Sequence, residues 1–210
     1  MGDEESYYGN LYLKWLINSK WNLIFNSKVQ LDKSIGASAY YQAVENDSIA
    51  KTNPYTFAVN DVGSNSRKVI NNSLVITSYQ KHFTFHSISS FQYVLQAYNK
   101  IDQDLMPYDY AYGSSYKNKI GDAYPQSVYS QELRLTSPIN KSKLKWTLGT
   151  FLFKQLYKKQ YATVYKDLAY FFGSSPGIEI NKADLDNDGL AFFGQADYSI
   201  TKKLIMIWHI

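Results

Sequence analysis

The chain has 210 residues, a formal net charge of +4, 17% aromatic residues with 20 Tyr, and no cysteine. That length allows one domain or two, and the lack of cysteine excludes disulfides, cysteine-based zinc sites and thiol catalysis. The charge is spread without a Lys/Arg run, so no nucleic-acid partner is expected, and no stretch of about 18 apolar residues exists to form a transmembrane helix.

A membrane is not thereby excluded. A transmembrane β-strand needs only about 10 residues of alternating pattern, which barely moves the mean hydropathy, here -0.37. Abundant aromatic residues with only 19% charged ones favour strands over helix or disorder.

In chain order, residues 9–17 (GNLYLKWLI) place Leu11, Leu13, Trp15 and Ile17 on one face. Asn18-Ser19-Lys20 turns the chain, and residues 21–31 return with Leu23, Phe25 and Val29 on one side. A polar stretch, 32–67, precedes a third strand over 69–79 with Leu74 and Ile76 on its apolar side. Gln80-Lys81-His82 leads to a fourth over 83–96, with Phe83, Phe85, Phe91, Tyr93 and Leu95 aligned. After the polar stretch 97–126 comes the clearest hairpin, 129–157. Leu133 and Leu135 alternate with Glu132 and Arg134, a turn at 137–143 intervenes, and Trp146, Leu148 and Leu152 alternate with Lys145, Thr147 and Gly149. A third polar stretch, 158–188, leads to a strand over 190–200, a turn at Thr201-Lys202-Lys203 and an eighth strand opening at Leu204. Period-2 alternation of this kind gives a strand one apolar and one polar face.

Short turns follow strands one, three, five and seven, and loops of about thirty residues follow strands two, four and six. Loops that long are uncommon in a compact soluble domain. They suit an outer-membrane barrel, with short periplasmic turns and long extracellular loops. The expectation is an all-β, antiparallel transmembrane barrel segment of about eight strands. Trp15, Trp21, Tyr79, Phe83, Trp146 and Tyr198 lie near strand ends, where interfacial aromatic residues gather. Leu74, Ile76, Leu133, Leu135, Trp146 and Leu148 would face lipid, and Glu132, Arg134, Thr147, Gln195 and Asp197 the lumen.

Residues 130–138 (SQELRLTSP), 145–153 (KWTLGTFLF) and 193–204 (FGQADYSITKKL) resemble barrel strands of TonB-dependent outer-membrane receptors, nearest the siderophore-receptor branch. Asp102-Gln103-Asp104, after the strand over 87–93, is similar to the same family. The likeness spans about residues 9–204. It implies a plugged 22-stranded barrel that binds a ferric siderophore or similar large ligand and imports it with TonB-supplied energy. Residues 1–210 are then expected to be a partial barrel domain in the cell outer membrane. A fragment is expected, from a truncated gene or partial reading frame, with the plug and TonB-contacting segment missing ahead of the strands and Ile207-Trp208-His209-Ile210 opening a strand that is cut short. Such a fragment, with unpaired edges, is not expected to transport by itself. Its partners would be outer-membrane lipid, the ligand and, in the full-length protein, TonB.

Other patterns carry less. Gly173-Ser174-Ser175-Pro176-Gly177 fits G-x-S-x-G, but Pro176 has no N–H to donate to an oxyanion, so a loop is expected. Asp184-Leu185-Asp186-Asn187-Asp188-Gly189 fits half a calcium loop, yet its twelfth position is Gln195, and a solvated loop is expected. His82 and His86 have a helical metal spacing, which a strand separates by about 13 Å. No enzyme activity, metal or cofactor is expected. The loop residues Tyr108, Tyr110, Tyr112 and Tyr116 could bind ligand or pack on themselves. A small autonomous eight-stranded barrel, structural or adhesive, and a secreted carbohydrate-binding β-sandwich remain as alternatives.

Overall fold

The computed structural model describes residues 3–36, 52, 60–103, 109–138 and 142–209. Among them, ten strands form one antiparallel sheet: β1 (Asp3–Leu16), β2 (Trp21–Ile35), β3 (Ser64–Tyr79), β4 (Thr84–Asn99), β5 (Ile101–Asp102), β6 (Ala111–Ser115), β7 (Gln126–Thr136), β8 (Leu144–Tyr165), β9 (Gly177–Thr201) and β10 (Leu204–His209). The main order is β1-β2-β3-β4-β7-β8, continued through β9 to β10. The sheet is not closed. No described helix is long and apolar enough to cross a membrane, which says nothing of crossing by strands.

The predicted turns at 18–20, 80–82 and 201–203 join neighbouring strands at one rim, where β7 ends and β8 begins as well; the middle of the turn predicted at 137–143, residues 139–141, and most of the polar stretch 32–67, residues 37–51 and 53–59, lie outside the described residues. Asn18 shows how the local sequence makes a turn: its side-chain Oδ1 accepts the N–H groups of Lys20 and Trp21 at 2.8 and 3.0 Å.

All three expected loops need correction. Of the stretch 32–67, residues 32–35 and 64–67 are strand, paired from Asp32↔Arg67 to Ile35↔Ser64. Most of 158–188 is strand, because β8 runs to Tyr165 and β9 begins at Gly177; only an eleven-residue connection, 166–176, with a 3-10 turn at Asp167–Phe172 separates them. The polar residues there had signalled a loop. Instead they pair, Lys158 opposite Asp184, Gln155 opposite Asn187, in a register running from Leu144↔Tyr198 to Tyr165↔Gly177. The stretch 97–126 contains β5 and β6, and β6 extends the line of β7 along the same edge of β8.

Directly opposed residues in an antiparallel pair share a face. The registers therefore place Trp15, Leu23, Leu74, Ile76, Leu133, Leu135, Trp146, Leu148 and Phe192 on one face. Glu132, Arg134, Thr147, Gln195 and Asp197 lie on the other. In β7 the exposed residues, Tyr129, Leu133 and Leu135, are all on the apolar face, and the polar face is half-buried. A sheet that curls toward its polar side shields residues in this way. Among the described residues the buried hydrophobic ones are Ala111, Tyr112, Ala162 and Ala169, all near the loop rim.

Candidate functional site at the loop rim

Three connections converge at the loop rim. The link between β2 and β3 is closed by the Gly36 N–H donating to the Gly63 carbonyl at 3.0 Å, and it brings Asn60 and Asp61 to the rim. The link between β4 and β7 carries β5, β6 and the tyrosines. The link between β8 and β9 brings Lys166 and the 3-10 turn, whose C-cap Gly173 has φ 79, a left-handed conformation suited to glycine.

Lys100, at φ 51, marks where the chain leaves β4 and begins to run beside β6. There two serine hydroxyls replace backbone carbonyls as acceptors: Ser114 Oγ takes the Lys100 N–H at 2.8 Å and Ser115 Oγ takes the Tyr98 N–H at 3.0 Å. Both serines are buried, so each hydroxyl satisfies a donor that has little access to water.

The predicted tyrosines separate. Tyr108 lies outside the described residues. Tyr112 is 8% exposed, with Lys166 Nζ 5.3 Å and Lys100 Nζ 5.8 Å from its ring centre, close enough for cation–π attraction. Its ring serves packing. Tyr116 pairs with Ile120 in an isolated bridge, and its N–H donates to the Gln160 carbonyl at 3.0 Å. Tyr110 stands in an open row of rings, 5.2 Å from Phe172 and 6.1 Å from Tyr165, both edge-on.

Sequence reasoning missed Tyr170-Phe171-Phe172, which are 75%, 80% and 62% exposed, while the neighbouring Ala169 is fully buried and anchors the turn. The legible signal was the run of three aromatics itself, hidden inside a stretch read only as polar.

Charged groups surround the rings. Asp109 Oδ2 lies 3.7 Å from Lys166 Nζ, and its Oδ1 accepts Asn60 Nδ2 at 3.2 Å. Burial pushes the Asp61 carboxyl up; Lys100 and Lys166 oppose that shift, and Asp109 and Asp102 add to it.

Three other sequence patterns resolve plainly. Asp184, Asp186 and Asp188 stand on one face of mid-β9, opposite Lys158, Leu156 and Lys154, and a straight strand cannot wrap three successive carboxylates around one ion. The region is therefore neither a calcium loop nor a solvated one. Ser175 lies in the 166–176 connection, and Ser174 N–H donates to the Ala169 carbonyl at 3.0 Å. His86 stands in β4 with Nδ1 3.3 Å from Thr77 Oγ1, and no group of three metal-ligating residues occurs among the described ones. No protein-family model matches the chain, and no curated protein matches it.

Proposed function

We propose that this chain forms part of the wall of a transmembrane β-barrel in the outer membrane, and that the whole protein binds a ferric siderophore or similarly large ligand at the loop rim and imports it with TonB-supplied energy. The observation that carries the reading is the apolar face. From Leu144 to Leu152, nine residues of β8, the exposed side chains on that face are Leu144, Leu148 and Leu152, and β9 sets Tyr198, Ala196, Gly194, Phe192 and Leu190 beside this segment. A membrane-crossing strand needs about 9–11 residues. Just past Leu152 the same face becomes charged, with Lys154 opposite Asp188 and the Lys158–Asp184 ion pair at 3.1 Å. At the turn rim it carries Trp15, Trp21, Trp146 and Tyr198, residues that favour a membrane–water interface.

An exposed apolar face this broad would have to be covered in water by a second layer. All the described strands belong to one sheet, which favours lipid over a sandwich as the covering. The polar face and the loop rim then address the lumen and the ligand. The size of the ligand follows from the transport problem: a compound too large for a porin needs a specific outer site and an energy source.

Two measurements test this. The full-length gene product should fractionate with outer membranes, and it should restore growth of a receptor-deleted strain on ferric siderophore. Recovery in the soluble fraction would remove the membrane reading, and membrane localisation without uptake of any large ligand would remove the transport reading.

A further inference from the structure

The loop rim holds a row of aromatic rings whose neighbours point to a ligand chemistry of their own. Phe172, Tyr110 and Tyr165 follow one another at centroid distances of 5.2 and 6.1 Å. Two carboxylates stand beside the row. Asp109, adjacent to Tyr110, is held by Asn60 and Lys166. Glu179 accepts the Tyr165 hydroxyl at 3.3 Å through Oε2 and Asn181 Nδ2 at 3.2 Å through Oε1. Each carboxylate oxygen has a second lone pair for a further donor.

Flat apolar rings bordered by acceptors and amides match a ligand that is apolar on its faces and carries hydroxyl donors around its edge. Charge narrows the choice. Asp109 and Glu179 outnumber Lys166 beside the row, so an anionic ligand would meet repulsion. Size narrows it again: a fully buried aromatic side chain covers about 150–250 Å², so three partly covered rings fall short of the roughly 800 Å² per partner of a standard protein interface. We propose that the Phe172–Tyr110–Tyr165 row, with Asp109 and Glu179, is a binding subsite for a neutral saccharide. It stands on the rim geometry alone and is independent of membrane insertion or import.

The test uses the full-length protein in detergent, titrated by calorimetry and saturation-transfer NMR with chitotetraose, cellotetraose and maltotetraose, and with tetragalacturonate as the acidic counterpart. At least one neutral tetrasaccharide should bind, and more tightly than the acidic one. Phe172→Ala removes a mostly exposed ring and should weaken that binding about tenfold, the scale of one direct aromatic contact. Glu179→Gln, at an exposed carboxylate, should weaken it several-fold with the circular dichroism spectrum unchanged, and it serves as the second probe if Phe172→Ala misfolds. Three results would overturn the proposal: no binding of any neutral saccharide, preference for tetragalacturonate, or unaltered affinity in a folded Glu179→Gln or Phe172→Ala variant.

Discussion

Gly149 of β8 lies directly opposite Phe193 of β9, and the Phe193 ring occupies the space a Cβ at position 149 would need. The same arrangement recurs in reverse at Gly189 and Phe153. Each ring lies over a neighbouring strand that has no side chain to hold it off. Gly149→Ala should therefore lower stability by about 1–3 kcal/mol, the usual cost of overpacking. Adding Phe193→Ala should recover much of that loss, and urea unfolding of the two variants and the double variant checks it as a coupling energy.

Asp32 and Arg67 join β2 to β3 just beyond the apolar band. Arg67 Nε and a terminal guanidinium nitrogen each lie 2.8 Å from Asp32 Oδ2, and Gln30 Nε2 donates to the same oxygen at 2.8 Å. Burial alone would push the Asp32 carboxyl up, but the hydrogen bonds from Gln30, Arg67 and Ser6 outweigh it and hold it below its ordinary value. With the folded value depressed, the stabilisation is present above the ordinary carboxylate range, near 3.9, and is lost as pH falls through the folded value. Thermal unfolding of wild type should lose stability over that acidic window, and Asp32→Asn should show a shallower pH dependence there.

These 210 residues hold no cysteine, so a cysteine introduced among them is unique within this region. In the full-length protein in bilayers, spin labels at positions 74, 76, 133, 135, 146 and 148 should be relaxed by oxygen, which partitions into lipid. Labels at 132, 134, 147, 195 and 197 should be relaxed by a water-soluble reagent. A label from either set behaving like the other would break the register on which the two faces rest.

At the rim, Tyr112 and Tyr110 should respond differently to truncation. Tyr112→Ala opens a cavity under Lys100 and Lys166 and should cost about 3 kcal/mol of stability, with ligand affinity following only through the fold. Tyr110→Ala should act mainly on binding, since its ring joins the open row.

Ser114→Ala offers a separate check. It strips the Lys100 N–H of its acceptor and should cost about 1–3 kcal/mol, seen as faster amide exchange at Lys100.

Alternation in the sequence determined the hairpins, the turns at one rim and the division of side chains between two faces, because these depend on a period of two and on local turn chemistry. Leu133 and Leu135 share a face with Leu148 whatever the distant strands do. Pairing partners decided the rest. Asp184, Asp186 and Asp188 read as loop by composition, yet β8 offers Lys158 and Lys154 across from them, and cross-strand hydrogen bonding carries β9 through a polar stretch that has no strand signal of its own. Tyr112 looked like any other loop tyrosine. Only the placement of β6 on the edge of β8, beyond the end of β7, buries its ring beside two lysines while Phe172 stays exposed next to a half-buried Tyr110. That placement joins residues about fifty positions apart, a separation at which neither periodicity nor turn chemistry carries information.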